Sequence, residues 1–137
     1  MSSFKFSKDE KLKSRKVIQQ LFETRKSILI FPLRLIWAPI VPRFNKYPAQ
    51  FAVTVPKRSF PKAVDRNRIK RLIREAYRLG KPLLYEQLSP FEEQYAFMFI
   101  YVGKKEPTLH ELQKSIKRIR KKVVKQLEEG KKVVGSK

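Results

Sequence analysis

The residues best suited to chemistry lie in one run, Arg66-Asn67-Arg68-Ile69-Lys70-Arg71-Leu72-Ile73-Arg74-Glu75-Ala76-Tyr77-Arg78. On a 3.6-residue wheel, Asn67, Lys70, Arg71, Arg74 and Arg78 share one side, opposite Ile69, Leu72, Ile73, Ala76 and Leu79. Arg66 and Arg68 flank this stripe. At 1.5 Å per residue it covers about 16 Å, the reach of several phosphates along a folded RNA backbone. Guanidinium groups present planar forks to phosphates and flat faces to unpaired bases. A merely solvated helix face mixes both signs of charge, whereas only Glu75 interrupts the cations here. The chemistry expected is recognition of a polyanion.

Bond-breaking chemistry finds little support. The chain has no Cys, which excludes disulfides and thiolate metal sites, and its one His, His110, has no neighbouring His or Cys. A self-sufficient metal nuclease needs several carboxylates converging on two ions, but the only Asp residues are Asp9 and Asp65 and the Glu residues are scattered or paired. No catalytic residue and no protein-bound metal or cofactor is expected.

The composition agrees. Lys and Arg number 33 against 12 Asp and Glu, a formal charge of +21 over 137 residues, so the folded surface carries a strong positive field. Nucleic acid and an anionic membrane are the two candidate partners. No apolar run approaches the ~20 residues that span a bilayer, and MSSFKFSKDEK shows neither a secretory h-region nor a cleavage site. A cytoplasmic protein with no membrane and no small-molecule substrate is expected.

The elements that must carry the stripe follow from periodicity. A helix is predicted from about Ser14 to Thr24, with Val17, Ile18, Leu21 and Phe22 on one face, after a flexible arm over residues 1–8. Ile28 to Ala38 reads as a strand, with Leu33, Leu35 and Trp37 alternating against Arg34, Ile36 and Ala38, and it is expected to form a hairpin with Gln50 to Val55. The basic helix should run from Pro61 to Leu79 and stop at Gly80 and Pro82, with a short amphipathic piece, Leu83 to Leu88, after it.

Tyr95 to Val102 is an unbroken apolar run, predicted to be a central strand buried on both faces. Its alternating Tyr95, Phe97, Phe99 and Tyr101 are read as core rather than as a base-stacking platform. Thr108-Leu109-His110-Glu111 is a capping box that opens a long amphipathic helix through Leu112, Ile116, Ile119, Val123 and Leu127. Its Lys114, Lys117, Lys121 and Lys125 suit diffuse phosphate attraction or solubility equally well. A flexible tail is expected over 130–137, outside an ordered core of about 12–129. The result is one α/β domain over residues 1–137, an α+β sandwich of three helices and a small mixed sheet in the order α-β-β-(β)-α-β-α. An RNA-recognition-motif fold would need two strand-helix-strand units, and this chain offers one.

The run from Arg66 to Arg78 closely resembles the signature helix of the bacterial ribonuclease P protein, including its Arg-Asn-Arg core. The basic pair Lys57-Arg58, Ala63-Val64 before the motif, and Phe22 at the end of the first helix also resemble the family pattern, and the element order agrees from about Leu12 to Leu127. The resemblance implies a non-catalytic subunit of an endoribonuclease, in which an RNA subunit hydrolyses precursor tRNA with Mg2+ at its own active site and releases the 5′ leader. It implies contact with that RNA through Arg66, Asn67, Arg68, Lys70, Arg71, Arg74 and Arg78. It places leader binding at Phe22, Ile18, Ile36, Lys57 and Arg58.

Ile18 and Ile36 stand where relatives often carry aromatic residues, so stacking is either weaker or borne by Trp37 or other rings. Pro56 replaces a small polar residue and cannot donate a ladder hydrogen bond, which requires an edge or a bulge at that strand end. The resemblance further implies a left-handed strand-helix-strand crossover, against the general rule. Charge and size alone also suit a ribosomal-type protein or a DNA-binding module; the Arg-Asn-Arg helix favours the ribonuclease P resemblance over both.

Overall fold

A computed structural model describes residues 7–24, 26–43 and 45–135, with side chains as far as residue 130. The elements are a 3-10 turn Lys8–Glu10, then α1 (Arg15–Glu23), β1 (Ser27–Ile30), β2 (Leu33–Ile40), β3 (Ala49–Thr54), α2 (Ala63–Leu88), β4 (Gln94–Tyr101) and α3 (Leu109–Gly135). They form an α+β sandwich around a four-stranded mixed sheet in the order β1-β2-β4-β3. Ser14 starts α1 by accepting a hydrogen bond from the Val17 backbone N–H at 3.2 Å.

The apolar run takes the central place expected of it. β4 pairs antiparallel with all eight residues of β2 and parallel with β3. A strand buried on both faces needs neighbours on both edges to satisfy its backbone. Two expectations about its neighbours are corrected. The segment Ile28 to Ala38 is not one strand: it turns at Phe31 and Pro32, and β1 folds back on β2 as an antiparallel hairpin, Ile30 opposite Leu33. Gln50 to Val55 does not pair with it, because β4 lies between β2 and β3. With α2 as the connection, β3 arrives parallel to β4, and a hairpin with β2 is topologically closed to it. β3 is an edge strand, which accommodates Pro56 just beyond it.

Alternation then sorts the side chains. Leu33, Leu35 and Trp37 of β2 and Tyr95, Phe97, Phe99 and Tyr101 of β4 face α2 and α3 in the main core, so the aromatic run is core along its whole length. Ile36, Ala38, Ala96, Met98 and Ile100 face the other way and pack with Val17, Ile18 and Leu21 of α1.

α2 does not stop at Gly80 and Pro82. It runs on to Leu88, and the expected separate piece from Leu83 is its last turns. Pro removes one helical hydrogen bond and crowds the preceding turn. The far side of this break is nevertheless held by the burial of Lys81, Leu84, Tyr85 and Leu88. α3 begins with the expected cap, the Glu111 N–H donating to Thr108 Oγ1 at 3.2 Å. It passes Gly130, where a tail is expected, and continues to Gly135, since one helical Gly costs only about 1 kcal/mol relative to Ala.

The expected N-terminal arm over 1–8 falls partly on residues 1–6, which lie outside the described residues. From Ser7 the chain is anchored. The Ser7 N–H donates to Glu10 Oε1 at 2.8 Å, and the Leu12 N–H donates to the Phe51 carbonyl at 2.9 Å, laying this segment along the outer edge of β3. Glu10 itself is buried against α2: Lys81 Nζ lies 2.9 Å from its Oε2, and the Tyr85 hydroxyl donates to the same oxygen at 2.5 Å. Removing one member of a buried pair strands the other's charge. Glu10→Gln should therefore destabilise the fold by about 3–5 kcal/mol, and Glu10→Leu combined with Lys81→Met should recover at least half of that loss. Urea titrations of the three proteins decide it; equal losses in single and double variants would show that the pair is not the cause.

Candidate nucleic-acid interface

α2 is amphipathic across its width: Ile69, Ile73, Ala76 and Tyr77 are buried while the basic stripe faces solvent. The structure divides the stripe into two kinds of side chain. Asn67, Arg71 and Arg74 are exposed and Lys70 is half-buried, and none makes a side-chain hydrogen bond or ion pair among the described residues. Their donors are therefore available to a ligand.

The remaining three are already engaged. Arg66 is half-buried, and its Nη1 donates to the carbonyls of Phe60 and Pro61, both at 2.8 Å. Arg66 thereby ties the loop before α2 to the helix. Arg68 lies 3.4 Å from Glu106 and 3.7 Å from Asp65, long exposed pairs that a phosphate can displace. Arg78 makes two bonds to Glu75, at 2.9 and 2.7 Å. That hydrogen bonding holds the Glu75 carboxyl below its ordinary range and neutralises the one acid in the stripe.

At the outer edge of β3 a groove of about 420 Å³ joins the stripe to the segment preceding α1. Its rim carries Lys11, Lys13 and Arg74, and its walls include Leu12 and Ala52. The α1 face of the sheet lies just around this edge. Phe22 is 56% exposed at the end of α1, and Ile18, one helical turn before it, and Ile36 on β2 are half-buried. Lys57 and Arg58 are exposed in the turn after β3. Strand register adds a row absent from the sequence reading, in which Arg34 sits opposite Ile100 and Ile100 opposite Thr54, on the same face as Ile36. Only the strand order brings Arg34 and Thr54 onto one row, and that order is not written in local periodicity.

Trp37 does not belong to this surface. It is 1% exposed and packs against Tyr95 and Phe97, with ring centroids 5.9 and 6.3 Å away. Neighbouring strand residues point to opposite faces, so a strand that gives Ile36 to the α1 face must give Trp37 to the main core. Leader stacking on Trp37 is therefore ruled out. His110 is exposed, and among the described residues no three His, Cys, Asp or Glu side chains converge as a metal site. Nor is any described helix long and apolar enough to cross a membrane.

A family model for Ribonuclease P matches residues 6–124. The chain belongs to the ribonuclease P protein family. It is accordingly a protein component of that endoribonuclease of tRNA 5′ processing. The Ribonuclease P protein component of Porphyromonas gingivalis is 32% identical over 117 residues, which cover 85% of each chain. That of Chlorobium phaeobacteroides is 34% identical over 121 residues, 82% of this chain and 83% of the relative. Among solved structures, the Staphylococcus aureus RNase P protein superposes with a TM-score of 0.62 at 19% identity, covering 83% of this chain and 94% of that one, which establishes the fold.

The engagement of Arg66 separates two roles within the Arg-Asn-Arg motif of this ribonuclease P protein. Arg66→Ala removes two bonds to backbone carbonyls and should cost about 1–3 kcal/mol of stability, whereas Asn67→Ala, at an exposed position with no side-chain partner among the described residues, should stay within about 0.5 kcal/mol of the parent. Thermal and urea unfolding of the two variants test this; equal stabilities would remove the anchoring role from Arg66.

Proposed function

We propose that this chain binds the RNA subunit of ribonuclease P through the unengaged face of α2 and receives the single-stranded 5′ leader of precursor tRNA on the α1 face of the sheet. The observation that carries the reading is the division of the stripe: Asn67, Lys70, Arg71 and Arg74 have free donors on a rigid, packed helix. Arg68 joins them by exchanging weak surface pairs for phosphate, and Arg66 and Arg78 hold the loop and the acid in place. The RNA subunit supplies the hydrolytic chemistry, with Mg2+ at its own active site. The protein contributes binding and alignment in the cytoplasm.

For the leader, the face offers what unpaired nucleotides require. Phe22 is an exposed ring at the end of the helix that packs on Ile36 and Ile100, and exposed cations stand at Arg34 on β2 and at Lys57 and Arg58 in the turn after β3. With Trp37 in the core and aliphatic residues at 18 and 36, Phe22 is the one large ring exposed on α1, and stacking falls chiefly to it. The groove rimmed by Lys11, Lys13 and Arg74 joins this face to the stripe, so one polyanion surface is continuous around the edge of β3.

The direct experiment is cleavage of a 5′-extended precursor tRNA at low millimolar Mg2+ by the protein alone, the cognate RNA alone and the two together. Efficient cutting at the mature 5′ end by the mixture only supports the reading; a mixture no better than RNA alone contradicts it. Replacing Arg71 and Arg74 by Ala should weaken RNA-subunit binding and lower the slope of log K against log salt by roughly 2, one for each phosphate that the two guanidinium groups neutralise. A filter-binding series across salt concentrations measures both, and an unchanged slope would remove these residues from the interface. Phe22→Ala should lower affinity for leader-bearing precursor by about 1–3 kcal/mol and leave mature tRNA binding unaffected. Competition binding with the two RNAs distinguishes these outcomes, and an equal loss on both would move the leader elsewhere.

A further inference from the structure

The two helices of the main layer do not close completely over the sheet. Between α2 and α3 lies a cavity of about 260 Å³ whose floor is Leu35, Phe97 and Phe99. None of its lining residues belongs to the basic stripe. Leu79 and Leu83 stand at its lip, 37% and 45% exposed, unusual for two leucines one turn apart on a packed helix. Gly80 lies between them, and a Cβ placed there would meet nothing within 4 Å. Apolar cavities of about 150 Å³ already accept benzene, so this one has room for a fused bicyclic ring. A peptide helix, about 10 Å across, does not fit.

The other side of the mouth is cationic. Lys117 and Arg120 are one turn apart on α3 and both line the opening. Arg120 is half-buried, and its side chain donates one hydrogen bond, to the neutral amide oxygen of Gln87 at 2.6 Å. No carboxylate lies within ion-pairing distance of it among the described residues. Burial works against its charged form, and the neutral amide of Gln87 supplies a dipole but no compensating charge. A guanidinium of this kind, next to an apolar hollow, complements a ligand with a hydrophobic body and a negative head.

We propose that the cavity between α2 and α3 is a binding site for a small anionic amphiphile, with its ring or chain on Leu35, Phe97 and Phe99 and its carboxylate or sulfonate on Arg120 and Lys117. The site lies apart from the residues assigned to RNA and does not depend on that assignment. Nucleotides fit it poorly, because the walls are almost wholly apolar and offer the base few hydrogen-bonding partners.

Two fluorescent probes test the proposal on the full chain: 8-anilinonaphthalene-1-sulfonate, which is anionic, and N-phenyl-1-naphthylamine, which is neutral and of similar shape. The parent protein should bind the anionic probe at one saturable site, at least tenfold tighter than the neutral probe. Gly80→Leu fills the mouth from a helical position that gains in propensity, and should weaken both probes at least tenfold while the circular dichroism spectrum is retained. Arg120→Gln combined with Lys117→Gln should weaken the anionic probe about tenfold and leave the neutral one unchanged. Anionic-probe binding that survives Gly80→Leu would place it on the general basic surface and overturn the proposal. A loss of the same size for both probes in the double variant would overturn recognition of the anion.

Discussion

The position of the basic stripe depends on how α2 is seated on the sheet, and that seat is aromatic. The ring of Tyr77 stacks on Phe51 with centroids 4.0 Å apart and an interplanar angle of 11°, and both rings meet Phe99 edge-on or tilted at 5.8 and 5.5 Å. Flat rings in offset contact resist both sliding and rotation, so this trio fixes the azimuth of α2 as well as its distance. Rotating the helix by a single residue position, about 100°, would carry Arg74 to the azimuth that Ile73 holds in the core. Recognition of a polyanion by side chains on a helix therefore starts from the packing of its opposite side.

The same sheet serves two masters by alternation. β4 gives Phe97 and Phe99 to the main core and Met98 and Ile100 to the α1 layer, so the apolar surface under α1 is the reverse of the surface that seats α2. Electrostatics adds the second constraint. A chain with 33 cations and 12 acids repels itself when compact, and the structure places several of its few carboxylates where each relieves a particular strain. Glu10 neutralises Lys81 inside the fold, Glu75 engages Arg78, and Glu106 and Asp65 hold Arg68.

Sequence periodicity revealed the parts governed by local rules. The Arg71 and Arg74 face was legible because a 3.6-residue repeat needs no knowledge of the partner, and β4 was legible because the apolar run Tyr95 to Val102 is short, aromatic-rich and bounded by polar residues, as a doubly covered strand is. What escaped was set by distant contacts. Gly80 and Pro82 are strong local stop signals, overridden by Lys81 meeting a residue 71 positions earlier. The pairing of β3 was misread because a strand's partner follows from the route of the connecting helix, which local periodicity does not encode. Trp37 is the instructive case: its parity against Ile36 was visible, yet assigning both to one surface disregarded it. Arg34 and Thr54 were out of reach until the strands were in register.

The segment around Glu10 leaves the ribosome before the rest of the domain, yet its carboxylate is seated by Lys81 and Tyr85, and its backbone by Phe51. This early part of the domain thus waits for residues about 70 positions later before its carboxylate can be seated. Until α2 has emerged and docked, the outer edge of β3 has unpaired backbone groups and nothing to cover them, the arrangement that invites strands from other chains. The segment therefore couples the outer edge of β3 to α2, and covering that edge depends on a helix that follows it in the chain.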